Sequence, residues 1–96
     1  MIIFDHLISE FGPVVARATR TVIVSPTDSQ GFTDRVELAA KTLSDSLDDS
    51  RRQAGESFRV AAVAMRRHHL TFDGDHRTRL VATARQHLSQ AAARLQ

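Results

Sequence analysis

Apolar side chains recur every three or four residues through most of the chain, which is the spacing of one face of an α-helix. The first such segment contains Ile3, Phe4, Leu7, Ile8 and Phe11. Gly12 and Pro13 follow it. Because a proline inside a helix removes a hydrogen-bond donor and clashes with the preceding turn, we expect a break or a sharp kink at this point.

Two structures fit residues 14–24. Val14, Ala18 and Val22 have helical spacing, whereas the β-branched run at residues 21–24 suits an extended segment. We favour a helix here. Residues 25–31, with the sequence SPTDSQG, are dense in turn-forming residues and predict a loop.

The most extended helical pattern lies in residues 34–71. Asp34 and Glu37 have the spacing of a capping box at a helix start. Acidic residues interact unfavourably with the helix dipole at the end of a helix and favourably at its start. The string Asp48, Asp49, Ser50 therefore predicts a break near residue 49. Ser50 and Gln53 have the spacing of a second capping box. One long helix through this point is the alternative. The apolar face continues on both sides of the break as Val36, Ala40, Leu43, Leu47, Ala54, Phe58, Ala61, Ala62 and Met65.

A final helix is predicted over residues 75–95, after the bend at residues 73–75 and with Asp75 as its N-cap. Its apolar face consists of Leu80, Val81, Ala84, Leu88, Ala91, Ala92 and Leu95. The sequence as a whole therefore predicts an all-α fold, a compact bundle of four to five helices with mostly antiparallel neighbours, in which residues 34–71 and 75–95 hold the longest helices.

Length and composition narrow the classes of protein. A chain of 96 residues suits a single helical domain, residues 1–96, and the lack of cysteine excludes thiolate chemistry and Cys-bound zinc. We find no secretory signal pattern and no apolar run near the roughly 20 residues that span a bilayer, so we expect a cytoplasmic protein without a membrane partner. The sequence has neither a glycine-rich phosphate loop nor a serine on a glycine elbow. We therefore expect no enzymatic activity and no cofactor.

Imidazoles and carboxylates cluster at the last helix junction, where a transition metal could bind them. The cluster consists of His68, His69, Asp73, Asp75 and His76. Adjacent histidines on a helix point about 100° apart, and the spacing matches no standard metal motif. Polar helix ends explain the same residues, because protonated histidines are favourable at the C-terminus of one helix and aspartates are favourable at the N-terminus of the next. We therefore predict no metal site.

Charge is distributed unevenly along the chain. Residues 1–50 contain four basic and eight acidic side chains, and residues 51–96 contain nine basic and three acidic ones, giving −4 and +6. Arg52, Arg59 and Arg66 recur every seven residues and form one helical stripe. Such a stripe could neutralise phosphates, which makes a nucleic-acid-binding regulator the alternative function. Pairing with the acidic first half of the chain would also account for it, and tyrosine and tryptophan, which stack on bases, are absent.

The leading functional prediction is protein association. Residues 58–65, FRVAAVAM, are apolar almost all around the helix, which suggests burial on two sides that so small a chain cannot easily provide. We therefore predict a homodimeric module that also binds another protein. A closed monomeric bundle is the alternative, since many alanines let helices approach closely. The predicted interface residues are Leu43, Leu47, Phe58, Ala61, Ala62 and Met65.

Overall fold

The computed structural model describes residues 4–19 and 29–95 of the chain, and in these ranges all regular structure is helical. The predicted all-α class is confirmed, and the number of helices agrees with the predicted four to five. The helices are α1 (Asp5–Thr19), α2 (Ser29–Ser44), α3 (Asp49–Leu70) and α4 (Gly74–Arg94).

Helix α3 is the centre of the fold because it packs on both α2 and α4, while α1 packs on α2 and α4. The molecule measures 40 × 24 × 18 Å. Apolar faces of all four helices meet in one core, whose largest fully buried side chains include Phe4, Phe32, Phe58, Leu43, Met65 and Leu88. Most apolar side chains of α3 are thus covered inside the single chain, whereas Val63 and Leu70 are exposed.

Of the predicted break or sharp kink at Gly12 and Pro13, the break is wrong, because α1 continues through both residues, and the kink stays a prediction. Proline in a helix interior costs about 3 kcal/mol. Burial of Val14 and Val15, which continue the apolar face beyond the exposed Pro13, offsets this cost. The helix predicted for residues 14–24 is present over residues 14–19, and residues 20–28 lie outside the described part of the chain.

Helix α2 begins earlier than its sequence pattern indicates. Ser29 is its first residue, so the predicted loop is wrong for residues 29–31 and residues 25–28 lie outside the description. Asp34 is consequently inside the helix and not at its start. Phe32 and Thr33 are buried in the first turns, and the burial of these side chains gives a tertiary reason for the earlier start.

The predicted break near residue 49 is confirmed, since α2 ends at Ser44 and α3 begins at Asp49. The cap differs from the prediction. The Asp48 carboxylate, and not Ser50, is the N-cap and accepts a 3.0 Å hydrogen bond from the Ser50 amide.

Helix α4 follows the predicted pattern closely. Asp73 occupies the N-cap position. The predicted cap Asp75 lies in the first turn, where its negative charge interacts favourably with the helix dipole. Leu80, Ala84, Leu88 and Ala91 are buried, while Val81, Ala92 and Leu95 are partly buried against the core. None of the helices within the described ranges is long and apolar enough to cross a membrane.

Candidate interaction groove between α2 and α3

The six predicted interface residues separate into two groups in the structure. Leu47, in the connection between α2 and α3, is 96% exposed. The other five lie inside the fold of the single chain, namely Leu43, Phe58, Ala61, Ala62 and Met65. Their apolar side chains are covered by the neighbouring helices of the same chain, so a second copy could reach most of them only if the bundle opened.

The three arginines of the predicted stripe each have a carboxylate partner. Arg52 binds Asp49, and Arg59 donates to both oxygens of Glu56 at 2.9 and 2.5 Å. Both of these pairs lie within α3. Because every guanidinium of the stripe is already paired with a carboxylate, the stripe presents less positive charge to a partner than the sequence suggests.

Arg66 differs from the other two because it connects two helices. Its guanidinium binds Asp34 at 2.6 Å and also binds Glu37, and both carboxylates belong to α2. The residues predicted as a capping box are three positions apart on one helix face, so both reach the same arginine. The hydrogen bond from Arg66 holds the pKa of Glu37 below its usual range, and the charges of Arg66 and Lys41 add to this effect against the opposing desolvation.

This contact makes a prediction about the titration of Glu37. In the parent chain the Glu37 carboxyl should titrate below the ordinary glutamate pKa of about 4.3, and in Arg66→Gln it should return towards that value. Since the folded pKa is lowered, the pair stabilises the fold above pH 4.3 or so, and this contribution is lost as the pH falls through the folded pKa. Carbon-detected NMR of the glutamate carboxyls measures both values.

Arg52→Gln is the matched control, because Arg52 pairs with Asp49 and does not contact Glu37. A Glu37 pKa that is equally low in the parent and in Arg66→Gln would contradict the role assigned to Arg66. Both ions are substantially exposed, so we expect the effect of Arg66→Gln on stability to stay below about 1 kcal/mol.

An open groove of about 570 Å³ runs between α2 and α3. Its lining residues follow helical spacing on both sides, with Glu37, Ala40, Lys41 and Ser44 from α2 and Arg52, Gly55, Glu56, Arg59, Ala62 and Val63 from α3. Small residues allow the two helices to approach closely. A Cβ atom added at Gly55 would lie 3.0 Å from Leu43 Cβ and 3.2 Å from the Ala40 carbonyl oxygen.

The groove therefore has an apolar floor of small residues and a charged rim. The rim carries charges of both signs, because Glu37 and Glu56 are negative and Lys41, Arg52 and Arg59 are positive. Val63 lies at its edge and is 42% exposed. The heptad spacing of the arginines indicated in the sequence that they share one face of α3. The sequence did not show that α2 would form the second wall of the groove.

The histidine cluster differs from the polar helix end that we predicted. His68 is buried and packs on Phe4, His69 is half-buried, and His76 is exposed. Burial, followed by the charges of Arg77 and His69, lowers the pKa of His68 and favours its neutral form. In the described part of the chain no three histidine, aspartate or glutamate residues are grouped so that they could hold a metal ion.

No protein-family model, curated protein or solved structure matches this chain. A functional assignment must therefore rest on the geometry of the chain itself. A groove between two helices, with small residues below and charges of both signs at its rim, is suited to receive a helix, since packed helices place ridges of one into grooves of the other.

Proposed function

We propose that the chain is a non-enzymatic protein–protein interaction module, a helical adaptor or regulator, that binds a second copy of itself through the groove between α2 and α3. The observation that carries this proposal is the groove itself, with its apolar floor, its exposed Val63 and its charged rim. The proposal moves the interface from the buried face of α3 to its open side. Ala62, one of the predicted interface residues, lies in the groove floor.

A second copy suits this groove because the rim carries both signs of charge. In a two-fold symmetric dimer the same surface of each copy faces the other. Lys41 of one copy can then approach Glu37 and Glu56 of its partner, and because these carboxylates already bind Arg66 and Arg59 of their own chain, the contact would mainly favour correct orientation and faster encounter. Val63 of each copy would enter the groove of the other as an apolar ridge.

Two contacts between α2 and α3 support opposite directions for these helices. Arg66 pairs with Asp34, and Gly55 faces Leu43, so later residues of α2 meet earlier residues of α3. This order is what antiparallel packing produces, and it supports the predicted antiparallel arrangement for this pair. An amphipathic helix of another protein could also occupy the groove between α2 and α3.

Binding of nucleic acid through Arg52, Arg59 and Arg66 is the weaker proposal, because all three already bind carboxylates. Phosphate contacts would have to compete with these ion pairs. A cytoplasmic location, and the absence of a cofactor and of any reaction, remain our expectations from the sequence.

Solution mass tests the proposed dimer. We expect light scattering on a sizing column to give twice the 10.7 kDa chain mass for the parent. Val63→Glu places a charge in the apolar part of the interface and should give the monomer mass. Ala93→Glu introduces the same charge at an exposed position of α4, away from the groove, and should remain dimeric.

Far-UV circular dichroism of each variant separates loss of the dimer from loss of the fold. A monomeric parent, or a Val63→Glu variant that is folded and still dimeric, would contradict the proposed interface. Absorbance at 260 nm in the same run, where a chain without tyrosine or tryptophan contributes little, would instead indicate bound nucleic acid.

A further inference from the structure

Three aromatic rings meet where the start of α1 reaches the end of α3. Phe4, directly before α1, is fully buried, and its ring centroid lies 5.0 Å from that of His68 and 5.7 Å from that of His69. The two imidazole rings are nearly perpendicular, with centroids 6.1 Å apart. Helix α1 itself packs on α2 and α4, so Phe4 adds a contact between the residue that precedes α1 and the end of α3.

Two imidazole nitrogens of this cluster are buried without a hydrogen-bond partner among residues 4–19 and 29–95, namely His68 Nδ1 and His69 Nε2. A neutral imidazole has one nitrogen without a hydrogen, and leaving this acceptor unpaired costs less than leaving a charged N–H donor unpaired. A protonated imidazole has a hydrogen on both nitrogens. Protonation would therefore place an N–H donor without an acceptor, together with a positive charge, in an apolar site.

The charges around His68 also oppose its protonation. Arg77 of α4 and the neighbouring His69 both lower the pKa of His68, and they add to the larger effect of burial. The carboxylates of α2 at this end, Asp34 and Glu37, bind Arg66. Asp5, which follows Phe4 in α1, is exposed.

The dipole of α3 acts in the opposite direction, because His68 and His69 lie in its last turn, where a positive charge is stabilised by about 1 kcal/mol. Burial can change a pKa by several units and therefore outweighs the dipole. The pKa of His68 is lowered as a result, and a histidine with a lowered folded pKa stabilises the fold at neutral pH and loses this contribution as the pH falls below about 6.5.

We propose that Phe4, His68 and His69 form an acid-sensitive latch that holds the start of α1 on α3 at neutral pH and releases it when His68 is protonated. The released conformation exposes Phe4 and the imidazoles to water. If His68 stays unprotonated in the closed state, lowering the pH from 7.5 to 5.5 makes opening up to about tenfold more favourable. The reason is that an exposed histidine, with an ordinary pKa of about 6.5, is mostly protonated at pH 5.5. This proposal does not depend on the dimer.

Amide hydrogen exchange at pH 7.5 and pH 5.5 tests the latch, with rates corrected for the intrinsic pH dependence of exchange. In the parent chain we expect protection in the first turns of α1, residues 8–11, to fall by up to about tenfold at pH 5.5 relative to the middle of α4. His68→Phe keeps an aromatic ring but cannot be protonated, so α1 should stay protected at both pH values. His76→Phe changes an exposed histidine and should behave like the parent.

The same α1 protection at both pH values in the parent, or an undiminished pH effect in His68→Phe, would overturn the proposal. A second measurement covers the case in which His68→Phe does not fold. The His68 pKa in the parent, measured from its ring resonances by NMR, should lie below 6.5. A value at or above 6.5 would remove the basis of the latch whatever the variant does.

Discussion

Phe58→Ala is expected to lower the free energy of unfolding by about 3–5 kcal/mol, the largest effect of any single truncation that we predict. Phe58 is fully buried in the middle of α3, which packs on both α2 and α4. Deleting its ring removes apolar contacts and leaves a cavity that the surrounding helices cannot fill completely. Urea unfolding followed by far-UV circular dichroism measures the change, since the chain has no tryptophan or tyrosine.

Phe72→Ala is a matched control because the same ring is deleted from a different environment. Phe72 lies between α3 and α4 and is 96% exposed, so the change in stability should be within about 0.5 kcal/mol. Equal effects of the two substitutions would contradict the core position of Phe58. If Phe58→Ala instead halved the solution mass and left the chain folded, Phe58 would belong to an interface between copies, as the sequence predicted.

Gly55→Val is expected to lower the free energy of unfolding by about 1–3 kcal/mol. Replacing glycine inside a helix normally stabilises it by a few tenths to 1 kcal/mol. At Gly55 this gain is outweighed, because even the first added carbon would lie 3.0 Å from Leu43 Cβ and 3.2 Å from the Ala40 carbonyl oxygen. The backbones of α2 and α3 would have to move apart, and the groove floor would change with them.

Gly74→Val provides the comparison, since a Cβ atom at Gly74 meets nothing within 4 Å. Gly74 is the first residue of α4, and we expect its substitution to change stability by less than about 0.5 kcal/mol. The same urea experiment measures both variants. If Gly55→Val were as stable as the parent, the close approach of α2 and α3 at this point would be wrong.

Local signals in the sequence were sufficient for two parts of the fold. The apolar spacing of α4 predicted which of its residues are buried, and the acidic string at residues 48–50 predicted the break before α3. Both depend on interactions within one or two helical turns, namely amphipathic burial and the helix dipole. Such interactions can be evaluated without knowing what the helix packs against.

The same local reasoning failed at Pro13 and Ser29. A proline within α1 and a turn-forming string at the start of α2 both disfavour helix, yet the helix includes Pro13 and begins at Ser29. Buried neighbours in each segment, Val14 and Val15 in α1 and Phe32 in α2, supply the compensating free energy. Propensity is a weak preference that tertiary packing can outweigh.

The candidate site shows the same division between local and tertiary information. Periodicity in the sequence determined that Phe58 and Met65 must be buried and that Arg52, Arg59 and Arg66 share a face. It could not determine which surface covers the apolar face, because a helix of the same chain and a helix of a partner remove the same area from water. The partners of Arg66 lie 29 and 32 residues away in the chain, so their contact became apparent only when α2 was packed against α3.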